Sequence, residues 1–373
     1  MKIVCVSASH VPSNTANSIQ VMKVCQAFVQ LGHEVILLVP GTQPSNLSPS
    51  TLRTQYGLKI SFPIEWLPGS RRLFPWIAVR RARALNVDLL YAWPVQSAAL
   101  GLLAGLPAIL EMHDIPAGSF GPLWYRLFLR LPGRKRLLPI THALHWELQR
   151  RYQPALPDGQ VVIAPDGVDL ERYEHLPDPE SARRHLGLPL GLTVVCTGHL
   201  YAGRGGDLFL ALASSFPKVN FLWVGVRPQD VDNWRSRAAA AGLQNVTYTE
   251  FLPNERIPLY QAAADILLMP YERTVSTSSG GNTAEICSPM KMFEYMAAGR
   301  AILTSDLPVL REVLNEDSAV FCPPSEAGAW EKSLSLLSAD SKRRQTLGQH
   351  ARADVEGYSW LARSRRSLEN FGC

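Results

Sequence analysis

Continuous apolar runs alternate along the chain with stretches in which apolar residues recur every three or four positions. "KIVCVSA" opens as a short buried strand. "SIQVMKVCQAFVQLGH" carries Ile19, Met22, Val24, Cys25, Phe28 and Val29 at helical spacing and stops at Gly32, and "HEVILLVP" is the next buried strand. Strand, helix, strand is a βαβ unit, which requires a parallel sheet. "VDLLYA", a helix near 95–104, "PAIL" and a helix near 141–152 continue the pattern, and "QVVIAPDGVD" reads as a further strand.

The alternation then restarts. "LTVVCTGHL", "VNFLWVG", "NVTYTEFL", "DILLMP", "RAILTS" and "SAVFCP" read as strands, separated by helical patterns such as "GDLFLALASSF", a helix near 230–241 and "IPLYQAA". Two such sets in succession predict an α/β protein of two doubly wound, Rossmann-like domains facing across a cleft. The Pro- and acid-rich "PDGVDLERYEHLPDPE" marks the boundary. The expected domains are 1–168 and 169–355, with a last helix within about 356–373 packing back on the first.

Composition narrows the class. The chain has 373 residues, 46% hydrophobic and 18% charged, which fits a globular protein with two cores. A net charge of +5 admits phosphate-bearing ligands or an anionic membrane surface. "MKIVCVSASH" reads as a strand rather than a signal peptide, and no apolar run approaches the roughly 20 residues a spanning helix needs. Cys5, Cys25, Cys196, Cys287, Cys322 and Cys373 form no Cys-x-x-Cys pair, so a reduced, cytoplasmic chain is expected. No His/Cys spacing suggests a metal site.

Three stretches carry candidate chemistry. In "SPMKMFEYMAAGRAIL", residues 288–303, Ser288 suits an N-cap and Pro289 a first helical position. The backbone N–H groups of Met290 and Lys291 would then face an anion, phosphate especially. Glu294, one turn on, can accept two hydrogen bonds from a vicinal diol such as ribose. Phosphate at the helix tip and ribose at the acid suggest a nucleotide; the plainer reading is a solvated helix residue. "TGHLYAGRGGDLF", 197–209, is a strand running into a loop with Gly203, Gly205 and Gly206 around Arg204, whose guanidinium forks onto phosphate oxygens. It is neither a GxGxxG nor a Walker loop, and an ordinary turn is the alternative. "AILEMHDIP", 108–116, ends a buried strand in Glu111, His113 and Asp114, the place where parallel sheets line their ligand crevice. A lone His there is equally a structural residue.

Together these stretches resemble the retaining glycosyltransferases of the GT-B fold, family 4 (group 1 glycosyl transferases), nearly end to end. "QAFVQLGHEVILLVP", "VVIAPDGVDLERY", "GHLYAGRGGDLFLAL", "NVTYTEFLPNERIPLYQAAADILLMPYE", "SPMKMFEYMAAGRAIL" and the closing "YSW" carry the likeness. The resemblance implies a nucleoside-diphosphate-sugar donor held mainly by the second domain, a sugar transferred with retention to a hydroxyl acceptor, and neither metal nor further cofactor. Glu294 would hold the ribose and Arg204 the diphosphate, with Gly203 beside it. Met290 and Lys291 would receive the phosphates, and Phe251 and Leu252 would border the base. His113 would reach the transferred sugar, and Asn14, Asn17 and Asp114 would sit at the cleft mouth with the acceptor. The sequence departs from the family at several points: Ile286 occupies the position of the usual first glutamate, with Glu285 one residue early. His199 stands for an Arg, Asp166 stands where Asn is commoner, and Ser13 to Ser18 contains no Gly.

The acceptor side has a flavour of its own. "GPLWYRLFLRLPGRKRLL", 121–138, mixes large apolar residues with Arg126, Arg130, Arg134, Lys135 and Arg136, and "SRRLFPWIAVRRAR", 70–83, repeats the pattern, which suits peripheral contact with anionic lipid and a carbohydrate or lipid-linked acceptor of surface polysaccharide or glycolipid synthesis. A packed helix with a solvated basic face is the alternative. No nucleic-acid-binding module is present. Two rivals stand beside the transferase: a nucleotide-sugar epimerase of similar fold, and a non-catalytic nucleotide-sugar-binding relative, which Ile286 makes conceivable.

Overall fold

In the computed structural model, which describes residues 1–274 and 284–371, the chain forms two compact units, Met1–Asp166 with Trp360–Cys373, and Gly167–Ser359. The division falls at 166/167 and 359/360, so residues 356–359 belong to the second unit, and the expected boundaries shift accordingly. Cys373 lies outside the described residues. The other five cysteines are free thiols.

The first unit is built on six parallel strands: β1 (Lys2–Val6), β2 (Glu34–Pro40), β3 (Ile64–Leu67), β4 (Leu89–Ala92), β5 (Ala108–Met112) and β6 (Lys135–Pro139), in the order β3-β2-β1-β4-β5-β6. Val4 lies opposite Ile36 on one side and Leu90 on the other. Helix Ala16–Gln30 covers the sheet. The side chain of Thr15 accepts from the N–H of Ser18 at its start, and Gly32, at φ 86°, turns the chain into β2. Val24, Cys25 and Phe28 are fully buried, and a Phe so placed contributes about 1.5–3 kcal/mol. The last helix, Trp360–Leu368, packs on Ala16–Gln30 and buries Trp360, Arg363, Ser364 and Ser367.

The second unit repeats the design with β7 (Thr193–Thr197), β8 (Asn220–Val226), β9 (Val246–Glu250), β10 (Ile266–Met269), β11 (Ala301–Ser305) and β12 (Val320–Cys322), in the order β12-β11-β10-β7-β8-β9. Phe209, Trp223, Trp330 and Leu334 anchor its core. Strand order reverses between β1 and β4 in the first sheet and between β7 and β10 in the second. At such a switch point the two flanking loops diverge and leave a crevice beyond the strand ends.

Two expectations fail. "QVVIAPDGVD" is not a strand: it holds part of a short 3₁₀ turn, Asp158–Gln160, and two isolated bridges, Val161 to Leu137 and Val168 to Ser359, and it touches the edge of β6 through the Val162 and Ala164 N–H groups, which donate to the carbonyls of Leu137 and Pro139 at 3.0 and 2.9 Å. The basic surface expected of 121–138 does not include Lys135 and Arg136. That stretch is a helix, Gly121–Arg130, followed by β6, and it buries both residues. Lys135 Nζ donates to the carbonyls of Phe128, Leu129 and Leu131 at 3.0, 2.6 and 2.6 Å, capping the C-terminal end of that helix.

Candidate functional site

In the Gly167–Ser359 unit, β7 ends at Thr197 and the chain enters the glycine loop. Gly205 adopts φ 79°, and a Cβ there would sit 2.0 Å from the carbonyl oxygen of Pro270. Only glycine allows that approach. The Glu272 N–H donates to the Gly203 carbonyl at 3.0 Å, so the loop is sutured to the segment leaving β10. Arg204 is thereby laid on Tyr271, its Nη1 donating to the Tyr271 hydroxyl at 2.6 Å and its guanidinium carbon 4.7 Å from the ring centroid. Both residues follow the two strands that flank the switch point.

The opposite wall is helix Met290–Ala298. It begins one residue later than expected, with Pro289 rather than Ser288 at the N-cap: Pro289 has ψ 122°, outside the helical range, and its side chain offers no acceptor. The N–H groups of Met290 and Lys291 fall in the first turn, where no intrahelical acceptor exists. Lys291 Nζ lies 4.9 Å from the Tyr271 centroid and 3.9 Å from Cys196 Sγ. Two cations thus share one aromatic ring, and among the described residues neither is paired with a carboxylate. Arg204 Nε is buried without a hydrogen-bond partner among those residues.

Glu294 is half-buried rather than a solvated helix residue. Its Oε2 accepts from Gln261 Nε2 at 3.1 Å, and Gln261, fully buried, accepts in turn from the Tyr173 hydroxyl at 2.8 Å. Tyr295 ties the same helix to the end of β7, its hydroxyl accepting from the Thr197 N–H at 2.8 Å. Phe251 and Leu252 are half-buried after β9; Phe251 packs near His199, 6.2 Å between centroids, and His199 near Tyr201, at 5.6 Å. Ile286 is buried and Glu285 exposed.

The Met1–Asp166, Trp360–Cys373 unit holds a different cluster. Glu111, the fourth residue of β5, is 1% exposed and receives donors from four segments: Gln20 Nε2, the Tyr91 hydroxyl, His113 Nε2 at 2.7 Å and Arg363 Nη2 at 2.7 Å. Burial pushes its carboxyl up, but the Arg363 charge, His113 and Tyr91 outweigh that and hold it at about 2. Burial pulls the His113 imidazole down, and the bond and charge of Glu111, then the charge of Asp166, more than reverse this. Asp166 is pushed up to about 6 by burial, with His113 and Arg363 pulling back. Arg363 also donates to the carbonyls of Pro165 at 2.7 Å and Ala164 at 3.1 Å.

Asp114, Asn14 and Asn17 are exposed. The Asp114 carboxylate accepts from the Ile115 N–H at 2.7 Å, and Asn14 Oδ1 accepts from Gln55 Nε2 at 3.1 Å. Beside the same sheet, helix Val95–Leu103 packs against both Phe74–Ala84 and Gly121–Arg130. Trp76, Leu73, Phe120 and Leu123 are exposed on or next to the outer two, among the exposed Arg80, Arg83 and Arg130. No helix among the described residues is long and apolar enough to cross a membrane, and those residues contain no group of three or more His, Cys, Asp or Glu able to hold a metal ion.

Sequence reading did not single out Tyr271, Gln261, Tyr173, Tyr91, Gln20 or Arg363. Tyr271 had a signal, since it directly follows the strand "DILLMP". The others look like ordinary polar positions of helices and strands.

Two consecutive doubly wound units of this kind make a two-domain Rossmann-like protein, and comparison with known proteins narrows the class. Residues 18–172 match the model for Glycosyltransferase Family 4, and residues 191–340 that for Glycosyl transferases group 1. The chain belongs to the family 4, group 1 glycosyltransferases. It is 24% identical to a phosphatidyl-myo-inositol mannosyltransferase of Mycolicibacterium smegmatis over 96% of this chain and 89% of that one. It is 26% identical to a 2-deoxystreptamine N-acetyl-D-glucosaminyltransferase of Streptomyces fradiae over 63% of this chain, and the match spans about half of that relative's length, 51%. Among solved structures, Anabaena HepE in complex with UDP-glucose superposes with a TM-score of 0.74 over 99% of both chains at 17% identity. Likeness at that identity shows the fold, GT-B with two Rossmann-like domains.

Proposed function

We propose that this chain transfers a sugar from a nucleoside-diphosphate-sugar donor to an acceptor hydroxyl with retention of configuration, and that the Gly167–Ser359 unit holds the donor. One observation carries the reading: Arg204 and Lys291 stand on the same Tyr271 ring at a switch point, beside a helix start, without a carboxylate partner among the described residues. Two like charges held together repel each other. A bound diphosphate supplies the missing counter-charge. Arg204, Lys291 and the N–H groups of Met290 and Lys291 then stabilise the leaving diphosphate as its charge develops, with Gly203 giving the loop room. This positive charge is the basis for reading the reaction as metal-independent and without further cofactor.

Glu294, oriented by Gln261, accepts from the ribose hydroxyls, and Phe251 and Leu252 border the base. His113 hydrogen-bonds substrate hydroxyls, and Asn14, Asn17 and Asp114 serve the acceptor. The S. fradiae and M. smegmatis relatives are named as transferases, which favours transfer over epimerisation. The M. smegmatis relative is named for a phosphatidylinositol acceptor, which favours glycolipid or surface polysaccharide synthesis. The exposed Trp76, Leu73, Phe120 and Leu123, set among arginines, are the surface for peripheral contact with an anionic membrane face on the cytoplasmic side.

The test is a panel of nucleotide sugars screened for thermal stabilisation, then for release of nucleoside diphosphate. A bound donor raises apparent stability by mass action. A transferase gives slow diphosphate release that an acceptor accelerates. Clean epimer formation would identify the isomerase, and binding without turnover the non-catalytic relative.

A further inference from the structure

The buried charges of Glu111 and Arg363 are left without a task by the proposed reaction. Glu111 and Arg363 are each 1% exposed, on β5 and on the last helix of the chain. A carboxylate offers about four acceptor positions, and Glu111 receives a donor from each of Gln20, Tyr91, His113 and Arg363. Arg363 is itself held by the carbonyls of Ala164 and Pro165. The imidazole of His113 is the one member of this set that is part-exposed, at 31% of its side chain.

We propose that Glu111, fixed in place by Arg363, is a positioning residue for His113: it captures Nε2 and so commits Nδ1 to the ligand. The proposal rests on the transferase reading only for what the ligand is. An ionised Glu111 accepts and cannot donate, so Nε2 carries the proton of the neutral ring. Nδ1 is then an acceptor toward a substrate hydroxyl when the ring is neutral, and a donor when it is protonated. Without the carboxylate the two tautomers would compete and the ring would turn about χ2. The groups facing the imidazole are Glu111 from β5, Arg363 from the last helix and Asp166 from the end of the first unit's main segment. The two acids favour the protonated ring and Arg363 opposes it, and the acids prevail. The last helix thereby acts on His113 through a chain of two contacts, His113 to Glu111 and Glu111 to Arg363.

Long-range ¹H–¹⁵N spectra of the full chain, with His113 assigned against His113→Gln, read both tautomer and titration. The expected wild-type result is a single Nε2–H tautomer and a midpoint above that of an exposed histidine. In Glu111→Gln the midpoint falls by about one pH unit or more and the tautomers mix. A wild-type His113 that titrates like an exposed histidine, or that carries its proton on Nδ1, overturns the proposal, even if Glu111→Gln does not fold. So does a folded Glu111→Gln in which neither property changes. Arg363→Lys, which keeps the buried charge, is expected to retain the Nε2–H tautomer, and its loss would contradict the order of the relay. None of these readings needs turnover. A chain that turns over no donor refutes the transferase reading and leaves the spectra to decide this one.

Discussion

The two units share a sheet design and place charged residues beyond the same ends of their strands, yet they treat charge in opposite ways. In the first, Glu111 meets Arg363, His113, Tyr91 and Gln20, so the buried charges of Glu111 and Arg363 answer each other inside the protein. In the second, Arg204 and Lys291 share Tyr271 and no carboxylate of the described residues answers them. A closed cluster holds a geometry. A cluster left with surplus charge is set up to take a ligand that brings the opposite sign. The contrast suggests that the first unit orients a reactive ring and the second binds the charged part of a substrate.

The sharpest way to break this comparison is to open the closed cluster. Arg363→Met leaves Glu111 buried without its main counter-charge, and urea denaturation should show a loss of about 3–5 kcal/mol. A loss under 1 kcal/mol would mean the pair is not the keystone described.

Titration of the same cluster comes next. Asp166 has its folded pKa raised above the ordinary carboxyl value, to about 6. In the window between that ordinary value and about 6 the folded state binds more protons than the unfolded one, so this group's contribution to stability falls as pH rises. Glu111, lowered to about 2, has the opposite sign: its contribution is fully present above the ordinary glutamate range and is lost progressively as pH falls from there through about 2. Asp166→Asn should therefore gain stability relative to wild type between pH 4 and pH 7, by on the order of 2–3 kcal/mol. Parallel pH profiles for the two proteins would refute the buried, proton-seeking Asp166.

The open cluster should respond the other way, with function lost and stability kept. Arg204→Ala and Glu294→Ala should each weaken nucleoside-diphosphate affinity by about 1.5–3 kcal/mol, roughly 10- to 150-fold. Arg204→Ala also relieves repulsion with Lys291, so its unfolding free energy should stay within about 0.5 kcal/mol of wild type. Equal loss of stability and affinity would make Arg204 structural. The smallest effect belongs to the surface: Trp76→Ser should change stability by no more than about 0.5 kcal/mol while reducing co-sedimentation with anionic vesicles. Unchanged vesicle binding would remove that patch from the proposed membrane contact.

Much of the architecture was legible because buried parallel strands are written as apolar runs, and "VVCT", "ILLM" and "AILTS" could hardly be anything else. β3 and β6 were not legible. β3 is short and half-buried, and β6 begins Lys-Arg, whose buried charges are satisfied only by carbonyls brought from elsewhere in the first unit. The helix start moved from Ser288 to Pro289: the proline ring fixes φ and leaves ψ free, and at ψ 122° Pro289 stands just outside the helix, which a good cap residue before it does not decide. Arg204, Lys291 and Glu294 could be picked out as donor candidates from loop glycines and a helix start. Tyr271 follows a legible strand, but that it brings the two cations together was not legible, because strand pairing and the Gly205–Pro270 approach create that contact. Arg363 was invisible for the same reason: a basic residue on a polar helix face reads as solvated until its neighbours are known.

The most direct test is calorimetric titration of UDP, GDP and ADP into the full chain and into Arg204→Ala. The account predicts one diphosphate bound per chain, and at least a tenfold rise in Kd on loss of the guanidinium. A diphosphate that binds both proteins equally, or binds neither, would contradict it.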